Sequence, residues 1–165
     1  MAKNHKAGEE KTNVMRILDG KKINYKSYCY LETGVISGLE VANVLGQNPN
    51  QTFKTLVTVG KTNINYVFVV PVCKELDLRK AASCVGEKKI EMLKSKDLLG
   101  LTGYIHGGCS PIGMKKAFRT VVDQSANQFD TIMFSGGKIG YQVELSLQDL
   151  GKVIRFETAD ITMDE

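Results

Sequence analysis

A mixed α+β fold is the architecture this sequence predicts, and three observations predict it. Apolar, β-branched runs outnumber helical patterns, several follow one another with only turn residues between, and no regular strand–helix–strand alternation appears. A doubly wound, dinucleotide-type fold is therefore not expected. The 165 residues suit one domain, and a globule of that length buries roughly two thirds of its unfolded surface. No internal repeat, linker or low-complexity segment divides the chain. The expected organisation is a flexible tail over residues 1–11 followed by a single domain over 12–165.

Taken in order, Thr12 can cap a helix in which Val14, Ile17 and Leu18 fall at helical spacing, and Gly20 is a cheap stop. Ile23 to Leu31, with Tyr25, Tyr28, Cys29 and Tyr30, is rich in strand formers. Ser37 caps a second helix to Leu45, with Leu39, Val41, Ala42, Val44 and Leu45 as its apolar face, and the turn from Gly46 to Asn50 ends it. Phe53 to Val59 and Asn65 to Val72 form a hairpin of antiparallel strands around the link from Gly60 to Asn63.

Leu76 to Val85 is expected to be helical from about Asp77, Lys89 to Met92 a short strand, and Ser95 to Leu99 a helical turn. Strands follow at Arg119 to Val122, Thr131 to Phe134 and Tyr141 to Leu145. Ser146 then caps a short helix to Leu150, and Val153 to Phe156 is expected as a last strand.

Composition narrows function only a little. Hydrophobic residues make up 42% and charged residues 24%, as in an average soluble domain. No apolar run approaches the roughly 18 to 20 residues that cross a bilayer, and the polar N-terminal stretch lacks a signal-peptide core, so a cytoplasmic location without membrane contact is expected. Cys29, Cys73, Cys84 and Cys109 form no CxxC pair, which argues against a zinc ribbon or a redox motif, and without a secretion signal a disulfide framework is not expected. The net charge of +4 is compatible with an anionic partner and equally with a solvated basic face. With 7% aromatics and no Trp, no stacking platform for single-stranded nucleic acid is visible.

Two features could carry chemistry. The segment Gly103 to Gly113 holds four glycines and a proline; such a loop can line an oxyanion with backbone N–H groups, or simply turn the chain. It is neither a P-loop nor a GxGxxG fingerprint. Lys54 interrupts an apolar strand, sharing a face with Leu56 and Thr58 while Phe53, Thr55 and Val57 share the other. It either snorkels to water at an edge or is directed into a cleft. A nucleophile–base pair of Cys109 and His106 lacks an orienting carboxylate, and no His, Cys, Asp or Glu cluster has metal-ligand spacing; no metal or cofactor is expected.

Together, Phe53-Lys-Thr-Leu56, Leu76-Asp-Leu78, Lys88-Lys-Ile-Glu-Met92, Gly103-Tyr104, Gly107-Gly-Cys-Ser-Pro-Ile-Gly113 and Ser135-Gly-Gly-Lys138, in that order, resemble the YbaK/EbsC family. Its members are relatives of the editing domain inserted in bacterial prolyl-tRNA synthetases, and the similarity runs from about Thr12 to Ile161. The resemblance implies a single domain with a curved, barrel-like mixed sheet flanked by helices. It implies hydrolysis of mischarged Cys-tRNA(Pro), with prolyl-tRNA synthetase as partner; the alternatives are another small substrate such as Ala-tRNA(Pro), or a non-catalytic module binding tRNA or the synthetase. A synthetase pocket discriminates poorly against an amino acid of similar size, so a second, hydrolytic site is a physical requirement.

In the cysteine-specific subgroup the substrate's own thiol is proposed to attack its ester. By resemblance Lys54 is the essential lysine, Gly107 and Gly108 offer backbone donors beside the carbonyl, and Tyr30, Thr55 and Ser135 fall at pocket positions. Gln142 departs from the family pattern, standing where the cysteine-specific relatives are expected to carry Asp. None of the four cysteines is expected to be the nucleophile.

Overall fold

The computed structural model describes residues 10–164. The expected tail falls largely outside them; its last two residues, Glu10 and Lys11, ion-pair with Lys138 and Asp19. The element order is α1 (Asn13–Gly20), β1 (Lys26–Cys29), α2 (Gly38–Val44), β2 (Phe53–Gly60), β3 (Asn65–Pro71), α3 (Leu78–Val85), β4 (Ile90–Met92), α4 (Ser95–Thr102), β5 (Arg119–Asp123), β6 (Ile132–Ser135), β7 (Tyr141–Leu145), α5 (Leu147–Leu150) and β8 (Glu157–Ala159).

The strands form two sheets. Three antiparallel strands run in the order β1-β7-β6, and five mixed strands in the order β4-β2-β3-β5-β8. The β2–β3 hairpin is antiparallel as expected, whereas β3–β5 and β5–β8 are parallel. A single bridge, Thr52 beside Met133, joins the two sheets. The mixed α+β class holds, but the sheet is divided and no closed barrel forms among the described residues.

β3 lies inside the larger sheet with both faces covered, which is why it reads as a continuous apolar run rather than an alternating one. Val67 and Val69 face one core with Phe53, Val57, Val122, Phe134 and the α1 residues Val14, Met15 and Leu18. Tyr66, Phe68 and Val70 face a second core with Leu76, Ala81, Ala82, Val85, Val121 and Ile161. Register carries the same division into β2: Thr55 and Val57 pair with Val69 and Val67, while Lys54 and Leu56 pair with Val70 and Phe68.

The helix starts follow the expected chemistry. Thr12, Ser37, Asp77 and Ser146 each accept a hydrogen bond from a main-chain N–H of the first turn, satisfying donors that would otherwise be orphaned. Three expectations change. β1 is shorter than Ile23 to Leu31, because Leu31–Thr33 tightens into a 3-10 turn. In α2 only Val41 and Ala42 are buried, leaving Leu39 and Val44 exposed. The last strand is Glu157–Ala159, not Val153 to Phe156; the apolar residues of that earlier run pack on the core from a turn, while the more polar stretch after them pairs with β5. Apolar character there signalled burial and not extended backbone.

Candidate active site

The sheets diverge beyond their single bridge. Met133 N–H donates to Gln51 at 3.1 Å on one side, and Leu93 N–H donates to the Val57 carbonyl at 3.0 Å on the other. Between these bonds the edge of β2 away from β3 has no strand beside it among the described residues, since β4 pairs only with Thr58 to Gly60. Alternate residues of a strand send their main-chain groups to the same edge, so Thr55 presents its N–H and C=O along this open stretch. A cleft of about 520 Å³ occupies the gap.

The cleft gathers Lys54, Thr55, Tyr30, Gly107, Ser135 and Gln142 from five separate parts of the chain. Thr55 and Lys54 lie on opposite faces of β2 yet both reach it, because the cleft wraps around the strand's open edge. Lys54 is half-buried and its ammonium meets Glu75 at 3.4 Å. Glu75 is itself 77% exposed, and such a surface ion pair contributes only about 0 to 1 kcal/mol. Both sequence alternatives for Lys54 therefore hold in part: it touches solvent, and it lines a cleft. The Thr55 hydroxyl is buried with no hydrogen-bond partner.

Ser135 and Gln142 are cross-strand neighbours at the end of the β6–β7 pair. The Ser135 hydroxyl accepts from Gly137 N–H at 3.1 Å. Gln142 is buried, and its carboxamide exchanges two hydrogen bonds with that of Gln47. Tyr30 is anchored by its N–H to the Gly140 carbonyl at 2.8 Å, and burial pushes its phenol up.

The glycine-rich loop is pinned from inside, where the Tyr104 hydroxyl donates to the Ile112 carbonyl. Gly107 adopts φ +89°, and a Cβ there would stand 2.6 Å from the Ile36 side chain. No acceptor for the Gly107 N–H exists among the described residues. Gly108 differs from what the resemblance implies: its N–H donates to Ile105 at 3.0 Å, so it is not free for a ligand. A Cβ on Gly108 would meet the Lys138–Ile139 main chain at 3.1 to 3.3 Å, so the missing side chain there permits close backbone packing.

His106 and Cys109 also line the cleft. Burial pushes the Cys109 thiol up to about 12, which keeps it protonated and poorly nucleophilic near neutral pH. No group of three or more potential metal ligands exists among the described residues. The cleft thus offers hydrogen-bond donors and one cation but no activated protein nucleophile. Such a site can orient a carbonyl compound and stabilise negative charge on its oxygen. Sequence reading missed the apolar walls, Ile36, Leu39, Met92, Leu98 and Phe134, which come from unconnected segments and carry no motif.

A sequence profile of the aminoacyl-tRNA editing domain matches residues 36–153. A curated Enterococcus faecalis protein, described as a candidate Cys-tRNA(Pro)/Cys-tRNA(Cys) deacylase, EbsC, is 45% identical over 161 residues, covering 97% of this chain and 98% of its own. Among solved structures, a candidate trans-editing enzyme for prolyl tRNA synthetase superposes with a TM-score of 0.78 at 23% identity, over 93% of this chain and 99% of the other. A hypothetical protein superposes at 0.81 and 20% identity, over 92% of this chain and all of the other. These two likenesses establish the fold. The profile match and the Enterococcus relative establish the family: the chain belongs to the aminoacyl-tRNA editing domain family.

Proposed function

We propose that this editing-domain chain is a trans-acting aminoacyl-tRNA deacylase that hydrolyses mischarged Cys-tRNA(Pro), with residues 12–165 as the catalytic unit. One observation supports the reading: Lys54, Thr55 and Gly107 line one cleft whose cysteine, Cys109, stays protonated and is a poor nucleophile. The near full-length similarity to the Enterococcus relative supplies the substrate class.

A site of this kind suits a substrate that brings its own nucleophile. The cysteinyl sulfur attacks its ester carbonyl, the C–O bond to the terminal ribose breaks, and the thiol proton passes to the departing ribose oxygen. Water then opens the resulting thiolactone, so the net reaction is ester hydrolysis. Lys54 and Gly107 oppose the charge that gathers on oxygen as the carbonyl becomes tetrahedral. Tyr30, Thr55, Ser135 and Gln142 form the surrounding pocket, and Gly108 supports the loop. No cofactor or metal enters this mechanism.

Selection of tRNA through association with prolyl-tRNA synthetase is part of the reading. A net charge of +4 is modest for a protein that must grip tRNA unaided. No helix among the described residues is long and apolar enough to cross a membrane. The test is deacylation of Cys-tRNA(Pro), Ala-tRNA(Pro) and a Cys-tRNA analogue without the thiol. Fastest loss of cysteine and a stable analogue are expected. Preference for alanine would transfer the reading to a small-residue deacylase, and no hydrolysis at all would favour a binding module.

A further inference from the structure

Gln142 stands on the cleft wall with 3% of its surface exposed, and behind it lies a residue to which no role has been given. Gln47 Nε2 donates to Gln142 Oε1 at 2.5 Å, and Gln142 Nε2 donates back to Gln47 Oε1 at 3.0 Å. The hydroxyl of Thr52, itself 2% exposed, makes a further contact to Gln47 Oε1 at 3.3 Å. The backbone brings Gln47 there: Gly46 leaves α2 with φ +66°, and Gln47 N–H returns to the Ala42 carbonyl at 2.8 Å.

A carboxamide carries two N–H donors and two carbonyl lone pairs. The reciprocal pair consumes one donor and one lone pair of each amide. One N–H and one lone pair of Gln142 remain, and these are what the cleft can use. Turning Gln142 alone by half a rotation would break both bonds inside a buried site, where unmade hydrogen bonds are costly. With Gln47 in its observed orientation, the pair therefore fixes which atom of Gln142 faces a ligand.

We propose that Gln47 is a positioning residue for substrate binding, holding the Gln142 carboxamide so that it accepts a hydrogen bond from the α-amino group of the esterified amino acid. The recognition is neutral, made by an amide carbonyl and not by a carboxylate. This rests on the deacylase reading above. Gln47 does not itself line the cleft, so its effect must run through Gln142.

The test is steady-state deacylation of Cys-tRNA(Pro) by wild type, Gln47→Leu, Gln142→Leu and the double variant. Gln47→Leu is expected to raise KM about tenfold with kcat within about twofold, as loss of substrate binding requires. The double variant is expected to be no worse than Gln142→Leu alone, because the first change acts only through the second residue. Gln47→Glu matches glutamine in size but removes the donor to Gln142 Oε1, so it should not recover the loss; full recovery would mean a packing role and overturn the proposal. Gln47→Met carries the same expectation as the leucine should that variant fail to fold. An unchanged KM in Gln47→Leu, or losses that multiply in the double variant, overturns the proposal while leaving the deacylase reading intact. A wild type inactive on both Cys-tRNA(Pro) and Ala-tRNA(Pro) overturns the two together.

Discussion

The two halves of β2 treat the same residue types in opposite ways. Toward its C-terminal end the strand is flanked by β3 and β4, and its polar groups are answered from within. The Thr58 hydroxyl donates to the Tyr66 carbonyl at 3.0 Å, and Asn65 caps the Thr58 carbonyl at 3.1 Å. Glu87 closes the hairpin, accepting from the Thr62 hydroxyl and, at 2.7 Å, from the Tyr66 phenol. Toward the N-terminal end one edge is open, the Thr55 hydroxyl has no partner, and Lys54 has a weak one. One half spends its hydrogen-bonding capacity on internal bonds; the other leaves part of it unanswered. An unsatisfied buried hydroxyl costs about 1 to 3 kcal/mol, so the open half carries a cost that the closed half does not.

The strongest challenge to this contrast is Lys54→Ala. Deacylation should fall by about a hundredfold or more, the scale seen when a charge-stabilising donor is lost. Melting temperature should barely move, because the pair with exposed Glu75 stabilises little; a large drop in stability would mean that Lys54 belongs to the structural half. Gly107→Ala comes next. Positive φ and the Ile36 side chain both resist a Cβ, so a loss of at least about tenfold is expected from a displaced N–H.

Thr55→Val and Thr58→Val form a matched pair that reads the comparison directly. Removing the orphan hydroxyl at 55 should raise stability by about 1 kcal/mol and lower activity. The same change at 58 should cost about 1 kcal/mol and leave kcat/KM alone. Chemical denaturation with parallel rate assays checks both, and effects of the same sign would erase the distinction.

Glu87 adds a pH signature. The Thr62 hydroxyl first, and the Tyr66 phenol next, hold its carboxyl below the ordinary value of 4.5. A group depressed in the folded state contributes stability present above its unfolded value and lost as pH falls through its folded one. Thermal melts from neutral pH into the acid range should therefore show a decline below about pH 4.5 that Glu87→Gln lacks. The smallest effect expected is Cys109→Ser, with deacylation within about twofold of wild type, since a thiol that stays protonated is not the nucleophile.

Much of this was legible before any coordinates. Capping residues at Thr12, Ser37, Asp77 and Ser146 mark helix starts because the signal is local: one side-chain oxygen answers N–H groups two or three residues on. Alternation placed Lys54 and Thr55 on opposite faces of a strand, and the structure keeps them there. The last strand was misplaced because Val153, Ile154 and Phe156 report burial, which turns and strands share. Gly108 could not be separated from Gly107 by sequence, since both are simply glycine; which N–H is already engaged depends on the fold of the loop.

By itself the sequence determined the mixed class, the hairpin, the helix starts and, through an ordered set of short motifs, the family. Each of these rests on interactions between residues close along the chain or on a pattern that survives without coordinates. The tertiary structure alone decided that the sheets separate beyond Thr52 and Met133, so that one edge of β2 opens onto a cleft. It alone brought Gln47 against Gln142 across 95 positions of chain. Contacts of that span follow from how packed layers meet, and no local spacing encodes them.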